Sequence, residues 1–368
     1  MTSQLIYAVP ADLGSGAAHC VHVVKMTTAL RRIGLDVDVC VRAAPSDDTL
    51  MTAFGLAEPL AASRVGAGSL GPVSLRFARG VMAQARRGQN LLTRNLVTAC
   101  MGVLSGHPTL LELHSPVESF RSRMLFRLFI CHPKALGLVT ITRALKDQYV
   151  KDFGAAIATR IHVLPDAADP VTQAEITQSP ADQASPIVGY VGSFLPGKGA
   201  EQVLQIASLM PDIRFVLAGS PDTALADLSV PTNVHLPGPL PHAVAMQQMA
   251  SFDVALLPNQ AQVLVSGGAV DIGRWTSPLK LFEYMAAGRP IVASRLPVLE
   301  EVLSDGHNAL LADPASPRDW AEKIRRLLDD PALARQLSMV AHHDFLHKYS
   351  WTARAERIAE IFGLKVAS

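Results

Sequence analysis

A chain of 368 residues, 49% hydrophobic and 18% charged, is too long for one ordinary core and too apolar for disorder, so two globular domains are expected. No apolar run reaches the roughly 18 residues of a spanning helix, and the opening Met1–Pro10 has no basic flank and too short an apolar stretch for a signal peptide. Cys20, Cys40, Cys100 and Cys131 stand apart with no CxxC pair, which argues against structural zinc or a disulfide framework and for a reducing cytoplasm.

Both halves alternate short β-branched runs with helical patterns, which predicts α/β architecture with parallel sheets. Leu5–Val9 reads as a strand entering Asp12-Leu-Gly14-Ser-Gly16, and a helix follows to about Arg32. Strands are expected at Leu35–Val41, Leu91–Thr93, Thr109–Leu113 and Leu138–Ile141. Net charge is only +1, yet Leu60 to Ala135 holds ten Arg or Lys against two acids, Glu112 and Glu118, with Phe120, Phe126 and Phe129 among the arginines. Such a region can rest on an anionic membrane or hold an acidic acceptor. It also fits solvated helix faces with the phenylalanines turned inward.

Asp169 to Pro186 is rich in Ala, Asp, Gln, Pro and Ser and reads as linker. The pattern then restarts, with strands at Ile187–Val191, Arg214–Ala218, Val234–Leu236, Val254–Leu257 and Pro290–Ala293. Helices are expected at Ala200–Leu209, Pro278–Ala287, Pro317–Leu328 and Pro331–Phe345, with Ser316 capping the third. Two doubly wound sheets in tandem place their ligand site along an interdomain cleft. The expected domains are residues 1–170, a linker over 171–186, a second domain over 187–348, and a terminal helix over 349–368.

Ser277-Pro278-Leu279-Lys280 opens the helix that Gly288 and Pro290 close, with Ser277 as N-cap and Pro278 in the first helical position. A helix N-terminus suits a phosphate, and a cation in its first turn is mildly unfavourable unless an anion is near, so Lys280 hints at a diphosphate. Glu283 falls one turn along, where a carboxylate can accept from both hydroxyls of a ribose. The same residues also describe a core helix with a surface Lys280–Glu283 pair. Gly192-Ser193-Phe-Leu-Pro-Gly197-Lys198-Gly199 joins a strand to a helix and is a second phosphate candidate, although it lacks Walker spacing. Gly14 and Gly16 follow the first strand, but His19 takes the third glycine position and Arg42 the place of the ribose acid, which speaks against NAD. His114 ends the strand Thr109–Leu113 and can donate to a sugar hydroxyl or phosphate, or serve structure alone. Glu112 within the sheet needs a partner, which Arg94 can supply. Asp36-Val-Asp38 matches a metal-binding DxD, but strand alternation explains it without a metal.

These residues resemble the retaining GT-B transferases of glycosyltransferase family 4, most strongly from Ile187 to Gly363. Gly197-Lys198-Gly199 is similar to that family's "KG", and Ser277 through Gly288 to its diphosphate-binding helix. Val163-Leu-Pro165-Asp-Ala-Ala-Asp169 resembles the crossing segment "PNGVD", Glu112-Leu-His114 the active-site histidine strand, and Tyr349-Ser-Trp351 the returning C-terminal segment. The resemblance implies two Rossmann-like domains facing a cleft and a transferase that moves a sugar from a nucleotide sugar to a hydroxyl acceptor. It implies catalytic roles for His114, Lys198 and Glu283, with Lys198 neutralising the leaving diphosphate, Glu283 holding the donor ribose and His114 facing the sugar. Ser193, Gly197, Ser277, Leu279 and Lys280 would bind the donor, and Gly14 and Gly16 would line the reacting groups. No metal and no cofactor is implied, no nucleic acid is expected as a partner, and the enzyme would be cytoplasmic, with the basic region as its contact to a membrane's inner face. Two positions depart from the family pattern: Ser193 replaces an arginine, and Trp275 replaces the first glutamate of E-x7-E. A non-catalytic subunit of the same fold and a sugar-nucleotide epimerase are the alternatives.

Overall fold

The computed structural model describes residues 4–15, 18–66, 72–171, 185–220, 229–263 and 271–366. The chain forms two compact units, one of Met1–Asp166 with Trp351–Ser368 and the other of Ala167–Ser350. Of the linker expected over 171–186, residues 172–184 lie outside the described residues, as does Gly16.

In the first unit the chain runs β1 (Leu5–Asp12), α1 (Ala18–Arg32), β2 (Val37–Ala43), α2 (Asp47–Phe54), β3 (Ser63–Arg64), α3 (Val73–Gln84), β4 (Asn90–Thr93), α4 (Leu96–Leu104), β5 (Thr109–Leu113), α5 (Phe120–Ile130), β6 (Ala135–Thr140), α6 (Arg143–Phe153) and β7 (Ile161–Val163). The second unit contributes β8 (Ile187–Val191), α7 (Ala200–Leu209), β9 (Arg214–Ala218), β10 (Val234–Gly238), α8 (His242–Ala250), β11 (Val254–Leu257), α9 (Leu279–Ala286), β12 (Ile291–Ser294), β13 (Leu310–Ala312), α10 (Pro317–Asp329) and α11 (Pro331–Asp344). α12 (Trp351–Phe362) returns to the first unit and packs on α1.

The first sheet has the order β3-β2-β1-β4-β5-β6-β7 and the second β10-β9-β8-β11-β12-β13, with every pairing parallel. Parallel strands covered on both faces must be apolar throughout, and β8 and β11 are buried at every position. Short polar residues start the intervening helices: Ser46, Asn95, Ser119 and Thr142 each accept an amide of the following first turn. Ser316 does the same for α10, as the sequence predicts.

The strand order reverses between β1 and β4 in one sheet and between β8 and β11 in the other. At such switch points loops diverge and open a crevice at the carboxyl edge. β1 extends to Asp12, three residues past its expected end, which carries Gly14 to that edge in a tight turn over Leu13–Ser15. Asp38 of the DxD pattern lies within β2, and its carboxylate accepts from Gln89 (3.1 Å).

Candidate functional site

In the second unit the turn after β8 and the start of α9 gather at the carboxyl edge. The Val191 amide donates to the Tyr284 hydroxyl on α9 (3.0 Å), so the helix is fastened to the strand end from which the turn departs. The Tyr190 hydroxyl donates to the Ser193 carbonyl (2.8 Å), and the Gln260 amide to the Gly197 carbonyl (2.8 Å). A Cβ on Gly197 would lie 1.8 Å from the Gln262 carbonyl oxygen, and one on Gly199 2.0 Å from that of Pro258. Both glycines also have positive φ, +83° and +84°. The close approach signalled by the Gly-Lys-Gly sequence is therefore to the loop after β11, with no side chain tolerated between.

That packing leaves Lys198 at the edge, half-buried, with no carboxylate within ion-pair distance among the described residues. Burial alone lowers its pKa, as expected for an ammonium losing water without gaining an anion. Ser193, five residues earlier in the same turn, is exposed.

α9 begins at Leu279, one residue later than expected. Pro278 is the N-cap, with extended ψ of 123° and no side-chain cap bond, so Ser277 is not the cap. A proline's fixed φ fits the cap as well as the first helical position, and here the chain turns helical only after it. The cap residue therefore offers no side chain to the first-turn amides of Leu279 and Lys280. Ser277, Thr276 and Glu283 are all buried.

Glu283 is not part of a surface pair. Its Oε1 accepts from His242 Nε2 (2.9 Å), its Oε2 pairs with Lys280 Nζ (2.8 Å), and only 3% of the residue is exposed. Burial would raise its pKa, but the Lys280 charge and the His242 hydrogen bond outweigh it and bring the carboxyl down to about 2. Lys280 is thus committed to Glu283, and Arg274 lies over the Trp275 ring at 5.1 Å. Lys198, unlike Lys280, has no carboxylate partner among the described residues.

In the first unit, Gly14 donates its amide to Asp12 Oδ1 (3.1 Å), so this turn is held by its own acid. Glu112 sits in β5 with no solvent exposure, and its partner is chiefly not Arg94, whose Nε stays 3.8 Å away. Arg354 of α12 approaches to 3.1 Å, His114 Nε2 to 2.6 Å and His22 Nε2 of α1 to 3.0 Å. His22 Nδ1 bonds Asp166 at 2.7 Å, and the His22 ring meets Trp351 edge-on. His114 is therefore no isolated histidine.

His22, His114 and Asp166 offer ligand atoms within 4.8 Å of one another and could hold a metal ion. The donor set fits a dication poorly, because the Glu112 carboxylate between them already faces two guanidiniums, Arg94 and Arg354, and Arg354 also acts on Asp166. His22, Asp166, Arg354 and His242 escaped the sequence reading. The available signal was a lone acid in the apolar strand Thr109–Leu113, which demands partners without naming them.

Residues 185–330 match the family of glycosyl transferases group 1. Among its relatives, the chain is 25% identical to the alpha-D-kanosaminyltransferase of Streptomyces kanamyceticus over 70% of its own length and 67% of that one. Its fold is similar to sucrose-phosphate synthase from Thermosynechococcus elongatus, with TM-score 0.71 and 19% identity over 98% of both chains. It is equally similar to Anabaena HepE, solved in complex with UDP and glucose, with TM-score 0.72 and 16% identity over 98% of this chain and all of that one. The two likenesses place the chain's two units in the GT-B class of folds.

Proposed function

We propose that this protein is a group 1 glycosyltransferase that moves a sugar, with retention and without metal, from a nucleoside diphosphate to a hydroxyl acceptor. The carrying observation is Lys198, a half-buried ammonium without a carboxylate, at the edge where α9 opens with uncapped amides. Together they meet a leaving diphosphate's charge with fixed donors, the work done elsewhere by a metal. Glu283 receives the ribose hydroxyls, since each of its oxygens keeps a lone pair beyond the His242 and Lys280 contacts. His114 in the first unit would meet the transferred sugar. The sugar's bond to the diphosphate oxygen breaks, the acceptor oxygen takes that carbon from the same face, and the departing phosphate oxygen takes the acceptor's proton.

HepE's complex with UDP and glucose supports a nucleotide sugar as donor. The experiment is incubation with UDP-, GDP- and ADP-sugars. One donor is expected to be slowly hydrolysed and to stabilise the protein by about 2.7 kcal/mol at a hundredfold excess over its Kd. If none binds, the reading fails, and a non-catalytic subunit that lost its chemistry at Ser193 and Trp275 takes its place.

A cytoplasmic enzyme touching the membrane's inner face is the accompanying reading. No helix among the described residues is long and apolar enough to cross a membrane, and the four cysteines are free. α5 buries Phe126, Phe129 and Ile130 but exposes Phe120 (79%), Met124 (50%) and Leu128 (49%). Spacing of four puts those three on one ridge, and Arg121 and Arg127 are exposed beside it. Cosedimentation with phosphatidylglycerol vesicles is expected, and Phe120→Ser with Leu128→Ser should weaken it about tenfold or more. Equal binding by that double variant would contradict the contact.

A further inference from the structure

The Glu112 cluster places more order on His114 than a strand end requires. Glu112 carries its charge: burial opposes ionisation, but Arg354 and then His22 and His114 hold its pKa well below the usual carboxylate range. An ionised carboxylate only accepts, so the 2.6 Å contact obliges His114 to donate from Nε2. Arg354 is itself immobilised. Its Nε donates to the Pro165 carbonyl (2.9 Å), Nη2 to that of Leu164 (3.3 Å) and Nη1 to Met26 Sδ (3.4 Å), with 3% of the residue exposed.

We infer that Arg354 is the positioning residue for His114: through Glu112 it keeps the imidazole neutral with its proton on Nε2, so that Nδ1 is presented as a hydrogen-bond acceptor. The expected donor role of His114 is thereby reversed, and the partner at Nδ1 is a hydroxyl rather than a phosphate oxygen. That this hydroxyl belongs to a substrate rests on the glycosyltransferase reading above, whereas the tautomer does not.

The groups facing the pair come from five places in the unit. Glu112 and His114 meet His22 of α1, with ring centroids 5.3 Å apart, and Arg94 beyond β4. Asp166, Tyr7 of β1 and Arg354 of α12 complete the surroundings. Burial and then the Arg94 charge lower the His114 pKa to about 4, against the pull of Glu112. Glu112 is held in check because Arg354 faces its other oxygen. Without that cation the same carboxylate favours imidazolium.

The test follows the imidazole nitrogens of 15N-histidine-labelled protein from pH 4 to 8, with the His114 signals assigned from their loss in His114→Asn. In the intact chain the Nε2-protonated neutral form should persist below pH 6. In Arg354→Gln the midpoint should rise by ~1 pH unit or more, and in Arg354→Lys, which keeps a cation, it should stay closer to the intact value. A proton on Nδ1 in the intact protein, or an unchanged midpoint in a folded Arg354→Gln protein, overturns the inference. Should Arg354→Gln not fold, the tautomer of the intact chain still decides. Normal sugar transfer by His114→Asn would instead sink the assigned role of His114 and leave the tautomer untouched.

Discussion

Lys198→Ala should lose the thermal stabilisation that a nucleoside diphosphate gives the intact protein, and its sugar transfer should fall roughly 10²–10³-fold, the cost of one fixed donor to a developing oxyanion. The size follows from what surrounds the lysine. Lys280 is neutralised by Glu283 at 2.8 Å, Arg274 is held over Trp275, and the position where the family pattern has an arginine is Ser193. An incoming dianion therefore finds in Lys198 a half-buried ammonium with no carboxylate against it among the described residues, its pKa lowered by burial. Lys198→Arg should recover part of the loss. Lys280→Ala should act differently, by freeing Glu283 from its counterion and weakening nucleoside binding. Side-by-side melting curves and initial rates decide, and transfer at the intact rate by Lys198→Ala would remove the diphosphate from this turn.

Glu112→Leu should destabilise the protein by roughly 3–5 kcal/mol, the cost of stranding buried charge. Glu112 has no solvent exposure, and its loss takes from the buried Arg354 guanidinium its ion-pair partner, leaving two neutral carbonyls and the Asp166 charge against it with Arg94 nearby. Removing the cation as well should restore much of the loss, because the penalty belongs to the unpaired charge rather than to the missing contact. Glu112→Leu with Arg354→Met is accordingly expected to be more stable than Glu112→Leu alone, with a coupling of at least about 1 kcal/mol in urea unfolding. Additive destabilisation would show that the two residues do not form a pair.

Strands buried on both faces were the most legible part of the chain. Thr109–Leu113, Ile187–Val191, Arg214–Ala218 and Val254–Leu257 lie where their apolar runs and flanking turns place them. Edges were less so: β2 starts at Val37 instead of Leu35, β6 at Ala135 instead of Leu138, and α9 one residue past Pro278. Terminal residues answer to tertiary hydrogen bonds as much as to local preference. The second unit's turn was readable because Gly197 and Gly199 mark a backbone approach that a Cβ would block. His242, by contrast, reaches Glu283 across 41 residues, and Arg354 reaches the Leu164 carbonyl across 190. Nothing periodic links such positions. Only the sheet order and the return of α12 onto α1 bring Arg354, His22 and Glu112 together.

The central claim is most directly tested by a crystal structure of the protein soaked with the nucleoside diphosphate that most raises its melting temperature. The diphosphate oxygens should lie within hydrogen-bond distance of Lys198 Nζ and of the amides of Leu279 and Lys280, with the ribose on Glu283. A nucleotide bound elsewhere, with Lys198 and the first turn of α9 untouched, would contradict it.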